Sequence, residues 1–290
     1  MMLKMWTELR RYPELRHIFC VPCDSHGLQL LIKDLLTVLE FAETLSQAQS
    51  VVKAFVKSTL QLSYLRDIQL RIYKQKRSFC LSVITRWGTQ FRLLQSLLNT
   101  KEALQEYSEL YDDTKLPYDA CSLIKSRSFW FRVEGLRELL RPLSGALKMS
   151  ESHGTHLGHV LDRWKNILSH LLKMQKDYIS LTEFVQTKRE LGGYSYRYER
   201  QIKPIHILAF YLSPENIGHQ PPDAHERTIF DFLDEYTPQD KRVQVREEYI
   251  RYQNQLTPFE KSRVCWEYTK MPVIFWMMLM KSTELGKLAV

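Results

Sequence analysis

Ile18-Phe19-Cys20-Val21-Pro22-Cys23-Asp24-Ser25-His26-Gly27-Leu28-Gln29-Leu30-Leu31-Ile32-Lys33-Asp34-Leu35-Leu36 changes its period midway. Residues 18–21 form a short apolar run with β-branched and aromatic members, which predicts a buried strand, and Pro22 ends it because proline brings no N–H to a ladder. Beyond it, Leu28, Leu31, Ile32, Leu35, Leu36 and Leu39 recur at helical spacing, with Asp24 or Ser25 placed to accept a hydrogen bond from the first free N–H groups. Cys23 and His26 therefore fall at a strand-to-helix junction, where α/β folds present side chains to ligands.

On either side of this stretch the pattern is helical. Residues 2–11 read as a helix ending before Pro13. Residues 48–76 carry apolar side chains from Val51 to Ile72 at helical spacing, and the far end is basic, with Arg66, Arg71, Lys74, Lys76 and Arg77 ahead of a second apolar segment at 79–84. Thr85 is positioned to cap a helix bearing Phe91, Leu94, Leu97 and Leu98. Leu136, Leu139, Leu140, Leu143 and Leu147 form one stripe, and Leu157, Val160, Leu161, Trp164, Leu168 and Leu171 another. Gly192-Gly193-Tyr194-Ser195-Tyr196 reads as an exposed loop, and from Ala224 onward the pattern is helical again, broken at Pro258 and Pro272.

A chain of 290 residues, 44% of them hydrophobic, has ample material for a buried core. The net charge of +8 favours an anionic partner such as nucleic acid, and it also fits a moderately basic protein with no such partner. Five scattered cysteines are odd in number, which argues against a disulfide framework and for a reducing compartment. The longest apolar run, 273–280, is too short to span a bilayer, so no membrane partner is expected.

Several of these landmarks resemble the hAT-superfamily transposases, whose catalytic core is a ribonuclease-H-like fold. Cys23-x-x-His26 stands as that family's (C/D)-x-x-H motif does, and Thr85-Arg86-Trp87-Gly88 stands as its R-W motif. Residues 204–214, Pro-Ile-His-Ile-Leu-Ala-Phe-Tyr-Leu-Ser-Pro, are similar to a late segment of the family, and residues 272–276 with 284–290 look like its C-terminal dimerisation region. The resemblance implies a mainly α protein: a ribonuclease-H-like α/β core remnant at 1–46, a helical insertion domain at 47–223, and a helical dimerisation-like segment at 224–290. It places Cys23 and His26 in an active-site motif. Arg86 and Trp87 become a nucleic-acid contact in which the indole stacks an extruded base while the guanidinium holds a phosphate. Arg66, Arg71, Lys74, Lys76, Arg77 and Arg92 form the surrounding cationic face. Phe275, Trp276, Leu279, Leu285 and Leu288 become a dimer surface, and Phe275, Trp276, Met277 and Leu279 are expected to form an exposed apolar patch in a single chain.

The family's three catalytic carboxylates, which hold Mg²⁺ or Mn²⁺, match no position of this sequence. Two would precede it and the third would follow it, so the resemblance implies a truncated chain with no strand-transfer activity and no cofactor. The partners it implies are DNA and either a second copy of the chain or full-length relatives. It also implies a nuclear location, with the cytoplasm as the alternative since no clear targeting signal is present. The rival reading is a helical self-association module with no nucleic-acid role. Cys20-x-x-Cys23-x-x-His26 has the ligand types of a zinc site but lacks a fourth ligand. His153, His156 and His159 recur every third residue; a polar helix entry is the favoured reading and a metal site the alternative.

Overall fold

The computed structural model describes residues 2–9, 11–15, 18–81, 88–111, 116–187 and 192–290. The described residues form helices joined by short connections and contain no strand. None of their helices is long and apolar enough to cross a membrane. The mainly α expectation holds, whereas the strand at 18–21 does not form. Phe19 stacks on Phe232 at 5.4 Å and meets Tyr236 at 4.8 Å, and the Pro22 carbonyl accepts a hydrogen bond from Gln201 Nε2 at 3.2 Å. Side-chain contacts thus occupy a segment that has no neighbouring strand to pair with. Residues 79–81 are not a strand either.

The chain gathers into two compact units that do not follow chain order. One comprises Met1–Cys23, His153–Lys165 and Tyr198–Val290, and the other Asp24–Ser152 and Asn166–Arg197. The three consecutive segments read from the sequence are therefore divided differently in space.

The second unit is built around helix Arg127–Ser150, which packs on helices Gly88–Asn99, Asp24–Leu35 and Leu39–Val56. The stripe Leu136, Leu139, Leu140, Leu143 and Leu147 is buried, as the 3.6-residue period requires of a core-facing helix. Ser126 caps this helix by accepting from Phe129 N–H at 3.3 Å. Pro142 lies inside it and has no N–H for the carbonyl four residues back. That carbonyl belongs to Glu138, whose backbone is hydrogen-bonded by the half-buried His170 ring. The long helical pattern at 48–76 breaks in two, because Ser58 leaves the helix and caps the next one, Thr59–Tyr73, by accepting from Gln61 N–H at 3.3 Å.

Residues 192–194, expected as an exposed loop, are buried. Gly192 and Gly193 adopt φ of +101° and +106°, and a Cβ on Gly192 would lie 2.5 Å from the Asp34 carboxylate. Only glycine lets the backbone approach this closely. Asp34 accepts from Gly193 N–H at 3.3 Å and takes a two-pronged ion pair from Arg197, at 2.6 and 2.9 Å. That hydrogen-bonded pair holds the Arg197 guanidinium above its ordinary pKa.

In the first unit, helices Pro204–Leu212, Asp223–Tyr236, Arg242–Gln253, Pro272–Leu279 and Glu284–Ala289 enclose an aromatic core. The carbonyl of Leu212, left without an intrahelical donor at its helix end, accepts from Trp276 Nε1 at 2.8 Å and from the Tyr252 hydroxyl at 3.1 Å. Buried Glu248 accepts from Leu285 N–H at 2.7 Å and so meets the first turn of the last helix.

Candidate nucleic-acid interface

Helix Thr59–Tyr73 ends where Lys74 turns left-handed at φ +59°, its N–H donating to the Leu70 carbonyl at 3.1 Å. The chain then runs extended, and a buried side chain holds it: Gln69 donates to the Arg77 carbonyl at 3.0 Å and accepts from Arg77 N–H at 2.9 Å. Arg77 lays its guanidinium over the Tyr73 ring at 3.5 Å and donates to the Asn99 carbonyl. Cys80 N–H donates to Ser96 Oγ at 2.9 Å. Three residues forward along the segment match three residues back along helix Gly88–Asn99, so the two run antiparallel. The segment leads directly into residues 82–87, which contain Arg86 and Trp87 and lie outside the described residues.

The six expected cations divide into two kinds. Arg71 forms an ion pair with Glu106, and Arg77 is half-buried in the contacts just described. For Arg71 a phosphate would have to displace a carboxylate. The Lys74 ammonium is exposed and donates to the Arg71 carbonyl at 3.1 Å. Arg66, Lys76 and Arg92 are exposed and have no ion-pair or hydrogen-bond partner among the described residues. Free exposed cations release counterions when they meet a polyanion, so this second group is the one suited to phosphate.

Cys23 is exposed at the end of the non-helical segment, and His26 is exposed in the first turn of helix Asp24–Leu35. The Ser25 hydroxyl does not cap that helix but pairs with Ser150 Oγ at 2.9 Å. Access suits the role the resemblance gives Cys23 and His26, but neither side chain is tied to a partner that would orient it.

The expected dimer surface is corrected. Phe275, Trp276, Leu279 and Leu285 are 0%, 2%, 1% and 0% exposed and belong to the core of the first unit, with Leu288 half-buried against it. Aromatic side chains gain most by leaving water, and Tyr252 of helix Arg242–Gln253, with Phe259 and Trp266, supplies ring partners for Phe275 and Trp276. The exposed apolar residues of the same helix are Val273, Ile274, Met277 and Met278.

Of the histidine triplet, His153 is exposed and apart, while His156 and His159 stack with ring centroids 3.6 Å apart. Burial, then the neighbouring His159, brings His156 down from 6.5 to about 4, so its ring is neutral at ordinary pH. The sequence reading missed their third companion, Glu215, whose carboxylate lies 3.5 Å from His159 Nε2. No spacing rule links positions 156 and 215; only the packing of their two turns does.

Residues 21–136 match the family model of the ZBED1 RNase-like helical domain. The matched stretch contains Cys23, His26 and every cation of the expected interface, and it covers less than half of the chain. It indicates a transposase-derived helical domain. No curated protein and no solved structure matches.

Proposed function

We propose that this chain is a transposase-derived DNA-binding protein of the hAT kind, which performs no strand transfer with its own residues. The observation that carries the reading is the match of residues 21–136 to the ZBED1 RNase-like helical domain, a stretch that includes both the (C/D)-x-x-H-like motif and the cationic segment. Exposed Arg66, Lys76 and Arg92 support a phosphate-contacting face, to which Arg86 and Trp87 add a base-stacking contact by resemblance. Such a face binds without regard to sequence, because it meets the phosphodiester backbone. The absence of a strand-transfer step from this reading rests on the resemblance alone, whose three carboxylates match none of these residues; neither Mg²⁺ nor Mn²⁺ serves a reaction in this reading, and the chain works in the nucleus.

The test compares duplex and hairpin DNA across a salt series. Affinity that falls steeply with salt, together with a Trp87→Ala loss confined to the hairpin, is the expected result. Failure to bind at low salt would remove the DNA reading, and cleavage of DNA with Mg²⁺ or Mn²⁺ would remove the inactivity.

A second reading has its own observation. Val273 and Met277, 59% and 52% exposed, lie on one helix with Ile274 and Met278. This apolar face supports self-association through the outer side of the helix, rather than through Phe275 and Trp276. Sedimentation of the wild type against Val273→Asp and Met277→Asp tests it: concentration-dependent dimers that vanish in the variants are expected, and a monomer at every concentration would contradict it.

A further inference from the structure

We propose that His156, His159 and Glu215 form a binding site for a divalent transition-metal ion of the zinc type. One ligand atom from each residue lies within 4.8 Å of the other two. An ion held tetrahedrally by bonds of about 2.0–2.2 Å keeps its ligand atoms roughly 3.3–3.6 Å apart. His159 Nε2 and Glu215 Oε2, at 3.5 Å, already stand at that separation. Two imidazole nitrogens and a carboxylate suit zinc, whereas magnesium and calcium call for all-oxygen sets.

The fold builds this arrangement from two turns of one unit. The first turn entering helix Gly158–Met174, with His159 N–H on the His156 carbonyl at 3.1 Å, puts side chains three apart on one side. The 3₁₀ turn Pro214–Asn216 follows helix Pro204–Leu212, and Asn216 Nδ2 fastens it by donating to the Phe210 carbonyl at 3.0 Å.

Gly158 sets the distance between these turns. A Cβ there would lie 2.8 Å from the Ala209 carbonyl and 3.1 Å from the His156 ring, so any other residue forces the turn or the His156 ring to shift. The Arg163 guanidinium opposes a cation at the site, but it donates to Thr155 Oγ1 at 2.8 Å, and the Glu215 carboxylate supplies the compensating charge. His159 and Glu215 each keep about a third of their surface exposed, at 31% and 35%, which leaves the fourth position to water. An ion here would pin the start of one helix to the end of another and stabilise the unit in proportion to its saturation.

The experiment titrates Zn²⁺ into the chelator-treated full chain by calorimetry, follows the thermal midpoint, and records the Co²⁺ absorption spectrum. One ion per chain, a rise in midpoint with Zn²⁺, and a Co²⁺ spectrum without thiolate charge transfer are expected. His159→Ala and Glu215→Gln should each weaken Zn²⁺ binding at least tenfold and abolish the midpoint rise, while a Cys20→Ser/Cys23→Ser variant binds as the wild type does. Glu215 is partly exposed, so Glu215→Gln should keep the helical circular dichroism and report the site rather than the fold. No saturable Zn²⁺ uptake, uptake unchanged by His159→Ala and Glu215→Gln, or uptake lost with the cysteines would each overturn the proposal.

Discussion

The cations Arg66, Lys76 and Arg92 and the aromatic tail at Phe275, Trp276 and Leu279 were both expected to face outward, and only the first group does so. Arg66, Lys76 and Arg92 stay in water because an unpaired charge is costly to bury. Phe275, Trp276 and Leu279 turn inward because nothing opposes their burial and Tyr252 and Phe259 stand ready to pack against them. Exposure read from sequence is thus dependable for charge and undependable for apolar surface. Even for charge, one carboxylate distant in sequence, Glu106, is enough to pair Arg71 and change what it can bind.

The sharpest way to break this comparison is to truncate the tail. Trp276→Ala removes a buried indole together with its bond to the Leu212 carbonyl, and about 3–5 kcal/mol of stability should go with it. Met277→Ala, one residue along and half exposed, should cost no more than about 0.5 kcal/mol. Urea unfolding of both decides the matter, and equal losses would mean that the tail faces outward after all.

An intermediate effect is expected where charge has been drawn partly inside. Asp34→Ala strips Arg197 and the Gly193 N–H of their acceptor and should cost about 2 kcal/mol, less than a fully buried pair because both side chains keep an exposed edge. Gly192→Ala should cost about 1–3 kcal/mol through its left-handed backbone alone. If Gly192→Ala unfolds in urea as the wild type does, the buried turn has been misread.

A smaller effect depends on pH. Burial, with Arg141 and Lys173 nearby, lowers the His170 pKa from its ordinary 6.5, against the opposing influence of Glu138. Below 6.5 the unfolded chain therefore takes up the proton more readily than the folded one. Stability from this group is fully present above that value and is lost as pH falls through the window beneath it. His170→Gln should flatten the decline in thermal midpoint between pH 7 and 5, and unchanged curvature would exclude His170 as its source. Arg71→Ala should likewise move stability little, by no more than about 1 kcal/mol, since its pair with Glu106 lies at the surface.

Much of the helical framework was legible. The leucines of 136–147 and Leu28, Leu31, Ile32, Leu35 and Leu36 announced their buried faces by spacing and are buried, whereas Leu39, placed in the same stripe, begins the next helix and is exposed. The failures share a cause, namely partners that are far away in sequence. A strand at 18–21 needed a neighbour, and the segment found Phe232 and Gln201 side chains instead. The glycines at 192–193 carried a turn signal, but only Asp34 explains why that turn is inside. Ser58 offered a cap in plain view, yet the unbroken apolar spacing at 48–76 masked it. The histidine triplet was visible on its own and its third ligand was not, because Glu215 reaches it only through packing. Arg86 and Trp87, the sharpest of the motif residues, lie outside the described residues.

The most direct test of the account measures how duplex affinity depends on salt in the wild type and in the Arg66→Ala/Lys76→Ala/Arg92→Ala variant. Each cation that meets a phosphate contributes roughly 0.9 to the slope of log affinity against log salt. The variant should therefore fold as stably as the wild type while its slope falls by about 2–3. A variant that binds with the wild-type slope would contradict the account, since the cations that the fold leaves free would then have no part in meeting DNA.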